Sequence, residues 1–254
     1  MLGLLIGSFL NVVIVRVPQG LSVVRPGSTC VCGEPVAPRD NVPVLSWLLL
    51  RGRARCCGAP IGVRYPVIEA FTAVSFAAVA GWVAGPGDVT LWVLPALLYL
   101  VAVCIALAAI DLEHYRLPDA LTLPSYGVGL VLLVLPSVAD DQLSALLRAL
   151  ACGAGFWLCY FLLWFLYPQG MGFGDVKFSG VLGLYLGWFG VGQAFVGWMA
   201  GFVLGGVLGI TLMALGLATR KSQIPFGPYM IAGAWVGLVV GGPVADWYLR
   251  SMGL

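Results

Sequence analysis

The sequence predicts an all-α, polytopic membrane protein of about eight transmembrane helices with a small cysteine-containing cytoplasmic insertion after the first. Three observations predict it. Of 254 residues, 61% are hydrophobic and only 9% charged, with a mean hydropathy of +1.00. A soluble domain carries about 25% charged residues, so lipid must serve as solvent for much of this chain. Apolar runs near the roughly 20 residues that a membrane helix needs recur along it, and the basic residues fall on alternate connections between them. The net charge of +2 gives no reason to expect a nucleic-acid partner.

The first apolar run, residues 1–15, reaches Arg16 without a basic start or an A-x-A-like site. It reads as a retained membrane segment rather than a cleaved signal, and residues 1–16 form the first unit. Residues 17–64 are the one sizeable extramembrane unit. They carry Pro18, Pro26, Pro35 and Pro38 together with Cys30, Cys32, Cys56 and Cys57. Fewer than about 50 residues bury little core, so this unit needs a staple, a metal or support from the membrane domain.

Residues 65–254 form the transmembrane domain, with helices expected at 65–84, 91–110, 120–137, 144–167, 178–190, 192–218 and 226–244. Between them lie Gly85-Pro86-Gly87-Asp88, Asp111–Asp119, Ser137–Asp141, Pro168–Asp175, Arg220–Gln223 and Gly241-Gly242-Pro243. The 178–190 piece has only 13 residues and reads as a half-span or a strongly tilted one. Glycines from Gly183 to Gly209 suit close helix packing, because small residues let backbones approach. Cys104, Cys152 and Cys159 lie in apolar runs and read as small packing residues.

Lys and Arg set the orientation. With 16–64 in the cytoplasm, the inner side holds Arg16, Arg25, Arg39, Arg51, Arg53, Arg55, Arg64, Arg116, Lys177, Arg220 and Lys221, and the outer side only Arg148 and Arg250. This bias places the 111–119 and 168–177 loops together on the cytoplasmic side of a multi-pass inner-membrane protein.

Among eleven acidic residues, Asp111, Glu113, Asp119 and Asp175 bear most on chemistry. A charge at the centre of a membrane helix costs about 2.5–3.5 kcal/mol on insertion scales. Asp111 ends the run VAVCIALAAI, and Asp175 sits in GMGFGDVK just after a helix that ends near Tyr167. Two carboxylates brought together in a low-dielectric cleft share a proton. The charged one then activates water, and the protonated one polarises a carbonyl. Helix-end carboxylates held by water and by Arg116 or Lys177 are the simpler alternative. Gly170, Gly172 and Gly174 tilt the balance, since backbone access beside a carboxylate suits an extended peptide substrate. His114, the only histidine, reads as a loop residue that such a dyad does not require.

The segments GSFLNVVIVRVP at 7–18, DNVPVLSWLLLRGR at 40–53, CGAPIGVRYPVIE at 57–69, IDLEHYRLPDALTLP at 110–124, GMGFGDVKF at 170–178 and IPFGPYM at 224–230 run along the chain. Together they resemble the type IV prepilin peptidases, a family of GxGD aspartyl proteases. The resemblance implies that Asp111 and Asp175 are catalytic and that Asp119, Lys177, Gly172, Gly174 and Glu69 support them. For Glu69, a buried carboxylate paired with Arg64 is an equal alternative. It further implies a prepilin or pseudopilin substrate with a short basic leader, a glycine before the cut and then an apolar helix. N-methylation of the new terminus with S-adenosylmethionine follows from the resemblance alone, for no Gly-rich Rossmann signature is present.

Family members with a metal site carry two C-x-x-C pairs. This chain has C-x-C at Cys30 and Cys32 and adjacent Cys56 and Cys57, with Ala54 where an earlier cysteine would stand. Four thiolates can close a tetrahedral zinc site of structural type. Free thiols and a disulfide remain alternatives, the last disfavoured in the cytoplasm. A secondary transporter with aspartates in broken, Gly-rich helices is the rival reading. Such sites lie at the membrane midplane, whereas both aspartates here fall at segment ends, and no repeat is visible. A membrane subunit that only binds a partner is a third reading.

Overall fold

The computed structural model describes residues 1–86, 89–217, 219 and 224–253. Gly87, Asp88, Ala218 and the expected inner-side charges Arg220 and Lys221 lie outside the described residues. Among those described there are nine α-helices and no strand, only two isolated bridges. The helices are α1 (Leu2–Arg16), α2 (Leu45–Leu49), α3 (Arg64–Ala84), α4 (Leu94–His114), α5 (Asp119–Ala139), α6 (Leu143–Leu166), α7 (Phe173–Phe189), α8 (Val191–Ala214) and α9 (Gly227–Ser251). Seven stretches are long and apolar enough to span a membrane, and only α2 and α7 among the helices contribute none. The chain is a multi-pass membrane protein.

Two compact units divide within α4, at Ala106 and Leu107. In Met1–Ala106, α1 packs on α3 because two glycines permit it. A Cβ at Gly3 would stand 2.7 Å from Ala73 Cα, and one at Gly7 2.7 Å from Glu69 Cα. Asn11, buried on α1, donates Nδ2 to Tyr65 O at 3.1 Å. The extramembrane loop is held largely by charge. Arg16 donates to the carbonyls of Ser22 at 3.0 Å, Pro26 at 2.7 Å and Gly27 at 3.3 Å. Arg55 pairs with Asp40 at 2.9 Å and holds that carboxyl below its usual range.

In Leu107–Leu254, α7 is the central helix. Nearly every residue from Asp175 to Trp188 is buried, Lys177 being the half-exposed exception. Its partners are α5, α6, α8 and α9. Here the structure corrects the sequence reading: the helix expected at 178–190 begins at Phe173, so Asp175 and Lys177 stand in its first turns rather than in a loop. Its 17 residues span about 25 Å at 1.5 Å per residue, short of a roughly 30 Å hydrocarbon layer. Glycine decides how closely α6 approaches it. A Cβ at Gly183 would sit 2.7 Å from Cys152 O, and one at Gly187 2.4 Å from Cys152 Cβ. The same device joins α8 to α9, where a Cβ at Gly233 would meet Gly201 N at 2.3 Å.

Candidate active site

Asp111 lies in the last turn of α4, 4% exposed. The helix closes just after it: Tyr115 takes a positive φ of 53° and donates its N–H to Asp111 O at 2.8 Å, a left-handed stop usual at helix ends. His114 is the last residue of α4, not a loop residue as the sequence suggested. Arg116, Leu117 and Pro118 then lead straight into α5 at Asp119.

Asp175 is the third residue of α7 and 7% exposed. Its Oδ2 accepts the Gly172 N–H at 3.1 Å, the acidic half of a capping box whose other half Gly172 has no side chain to supply, and this bond helps to start the helix despite three glycines nearby. Asp111 and Asp175 are both buried and border the same short turn, residues 115–118. Leu117 carries the approach of the two segments. A Cβ at Gly174 would stand 3.0 Å from Leu117 Cβ and 3.2 Å from its carbonyl oxygen, so only glycine lets the 115–118 turn lie flat on α7. A third segment arrives from α9: Gly227 donates its N–H to Asp111 Oδ2 at 2.9 Å.

Lys177 and Asp119 meet beside this centre. Lys177 Nζ lies 2.7 and 2.8 Å from the two oxygens of Asp119 and 5.0 Å from the Phe173 ring centroid. Tyr126 donates its hydroxyl to the Lys177 carbonyl. The first residue of α5 is thereby tied to the start of α7.

Glu69 belongs to the other unit. It is 8% exposed, and its Oε2 accepts the Val44 N–H at 2.7 Å. Val44 has φ 60° and ψ −49°, and Leu45 N donates to Pro43 O at 2.6 Å across it. This is a γ-turn of the rare, strained hand, on a β-branched residue that resists positive φ. The carboxylate of Glu69 is what pins it.

The clustered cysteines converge although their spacing is irregular. Cys30 begins one turn, closed by Gly33 at φ 88°, and Cys56 and Cys57 lie in another, closed by Gly58 at φ 69°. The sulfurs of Cys30 and Cys57 are 3.5 Å apart and those of Cys32 and Cys56 3.3 Å, with all four within 4.8 Å of one another. Four sulfurs at Zn–S distances of about 2.3 Å stand roughly 3.8 Å apart in a tetrahedron, so the set fits one such ion. Hydrogen bonds to its sulfur, first from the Cys32 backbone and then from Cys56 and Cys57, lower the Cys30 thiol to about 7. The neighbouring sulfurs push the Cys56 thiol the other way, up to about 12, and a bound metal would hold all four as thiolates.

Comparison with known proteins assigns the chain to a family. Residues 1–83 match the bacterial peptidase A24 N-terminal domain, and residues 98–214 match the type IV leader peptidase family. A prepilin leader peptidase/N-methyltransferase of Aeromonas hydrophila is 37% identical over 98% of this chain and 91% of its own length. The chain belongs to the type IV leader peptidase family. Relatives of the same description are 33% identical in Pseudomonas aeruginosa, over 100% of this chain and 93% of theirs, and 40% identical in Klebsiella pneumoniae, over 73% and 82%. No solved structure gives a significant match. Nothing in these relatives supports the transporter reading.

Of the residues singled out in the sequence, the fold brings Asp111, Asp175, Asp119, Lys177, Gly172 and Gly174 together in one unit. Glu69 and the four cysteines stand in the other. Gly227 and Leu117 were missed. The motif IPFGPYM marked the first of them, but a glycine offers no side chain whose chemistry announces a role.

Proposed function

We propose that this protein is a membrane-embedded aspartyl endopeptidase that removes the leader of type IV prepilins or pseudopilins. Cleavage is placed at the cytoplasmic face of the bacterial inner membrane, by residues 65–254, with 17–64 as the cytoplasmic unit. The observation that carries the reading is the pair of buried carboxylates, one from the end of α4 and one from the first turn of α7, on either side of the turn that holds Leu117. One aspartate, charged, takes a proton from water as hydroxide attacks the scissile carbonyl. The other, protonated, gives its proton to the carbonyl oxygen. Collapse of the tetrahedral intermediate breaks the C–N bond, and the departing amine receives a proton. Both aspartates stand at helix ends, where a substrate passes from its basic leader into its apolar helix. Lys177 and Asp119 support this arrangement by fixing α5 against α7.

Relatives bear the description N-methyltransferase, and we extend methylation of the new N-terminus to this chain. S-adenosylmethionine would be the methyl donor that this description implies. One zinc on Cys30, Cys32, Cys56 and Cys57 would be structural, since four thiolates leave no open position.

Co-expression with a prepilin tests the central claim. Asp111→Asn and Asp175→Asn each abolish leader cleavage while membrane insertion persists, because an amide keeps the size of the carboxylate but neither accepts nor shares the proton. Cleavage above roughly a tenth of wild type in either variant, where loss of a catalytic proton carrier costs at least about 10²-fold, points to a different carboxylate.

A further inference from the structure

We infer that Gly227 is a positioning residue of the aspartyl dyad, setting the place of the Asp111 carboxylate by its N–H and by having no side chain. The inference rests on the peptidase reading above.

Gly227 opens α9, 116 residues along the chain from Asp111, and its amide reaches Oδ2 at 2.9 Å in a buried contact. The helix offers this carboxylate little else. Pro228 has no N–H, and the amides of Tyr229 and Met230 go to Phe226 O at 3.1 and 3.2 Å. A carboxylate held at a helix N-terminus is in favourable electrostatic surroundings. The contact engages one of the two carboxylate oxygens, Oδ2.

Shape adds a second constraint. A Cβ at position 227 would stand 2.8 Å from Asp111 Oδ2, 3.4 Å from its Cγ and 3.3 Å from Leu117 Cδ2. None of these three nearest atoms is backbone. The group that must yield to a methyl is therefore the end of the Asp111 side chain, not the frame of the helix. A larger residue here leaves α9 in place and moves the catalytic oxygen. This is the reverse of Gly233, where the nearest atoms belong to the Gly201 backbone and the helices themselves would have to part.

Purified wild type, Gly227→Ala, Asp111→Asn and the double variant Gly227→Ala/Leu117→Ala, each assayed on a prepilin across pH, test the inference. Displacing a reacting group by about 1 Å costs on the order of 10²-fold, so Gly227→Ala is expected to lose roughly that much kcat. Prepilin KM stays within about twofold because the change is made in the chemical step. The acid limb of its kcat profile moves to higher pH, because a hydrogen bond that favours the charged carboxylate is weakened. The double variant removes the Leu117 contact yet keeps the clash with Asp111, so it stays slow, and it replaces the single variant if that one does not fold. Wild-type cleavage by Gly227→Ala overturns the inference. So does recovery in the double variant, which would trace the loss to Leu117, or slowing with an unmoved acid limb. Failure of the wild type itself to cut the prepilin would instead remove the peptidase reading.

Discussion

Lys177 shows how one side chain can matter more for geometry than for stability. Its ion pair with Asp119 is short, but the two side chains are 23% and 55% exposed, and such pairs contribute about 0–1 kcal/mol. Its position is what counts: α5 begins at Asp119, two residues after Leu117, and Leu117 lies on Gly174 next to Asp175. Asp119→Asn and Lys177→Met are each expected to lower kcat roughly tenfold through displaced catalytic groups, with little change in thermal stability. The double variant should be no slower than the worse single one, since both remove the same link. A silent Asp119→Asn beside an inactive Lys177→Met would mean that Lys177 acts on the substrate directly. At this scale the acidic residues were legible because a charge beside an apolar run is costly. Leu117, Gly227 and the strained turn at Val44 were not, because their roles depend on space and backbone angle that only the fold defines.

Glu69 offers a second test on single side chains. Glu69→Gln keeps a hydrogen-bond acceptor for Val44 but removes the charge, which makes the bond weaker. Glu69→Ala leaves the Val44 N–H without its partner and releases a turn whose strain is of the order of 1–3 kcal/mol. The alanine variant is therefore expected to expose residues 42–48 to limited proteolysis while the glutamine variant largely resists. Equal protection of both would show that the turn does not depend on Glu69.

At the scale of elements, α7 is where sequence and structure diverge most. Gly170, Gly172 and Gly174 read as a loop because glycine is about 1 kcal/mol worse than alanine inside a helix. The bond from the Gly172 N–H to the Asp175 carboxylate and the packing of Gly174 under Leu117 outweigh that cost, so the helix starts five residues earlier than expected. The other apolar runs gave their helices to within about four residues, since spanning length leaves little freedom, except that α9 runs on through the expected break at Gly241-Gly242-Pro243 to Ser251. Glycine spacing on α7 has a testable consequence. A methyl at Gly183 meets the Cys152 carbonyl at 2.7 Å and Phe156 Cγ at 2.8 Å, and part of that contact is backbone. Gly183→Ala should therefore separate α6 from α7 and cost about 1–3 kcal/mol, the usual penalty of overpacking. Unfolding in mixed micelles measures this. An unchanged midpoint would mean that the two helices separate freely at this level.

At the scale of the whole molecule, the two units divide the chemistry. Asp111 and Asp175, the proposed dyad, fall with Asp119 and Lys177 within Leu107–Leu254, and Glu69 and the converged cysteines fall within Met1–Ala106. The sequence announced the cysteine unit by its composition but left its ligands uncertain, because C-x-C and adjacent cysteines lack the usual two-residue gap. The structure shows how they still converge: each pair rides on its own tight turn, and the turns face one another with crossed sulfur contacts. One zinc per chain is therefore expected in purified protein. Changing Cys30, Cys32, Cys56 and Cys57 together to Ser should abolish it and loosen residues 17–64, seen as faster proteolysis of that segment, because a region of this size holds little core of its own. Chelation of the wild type should reproduce that loosening, since a structural site contributes its binding energy to folding. Metal content near zero, with the quadruple Ser variant as protected and as active as wild type, would leave the unit resting on its arginine clamps and on the turn pinned by Glu69.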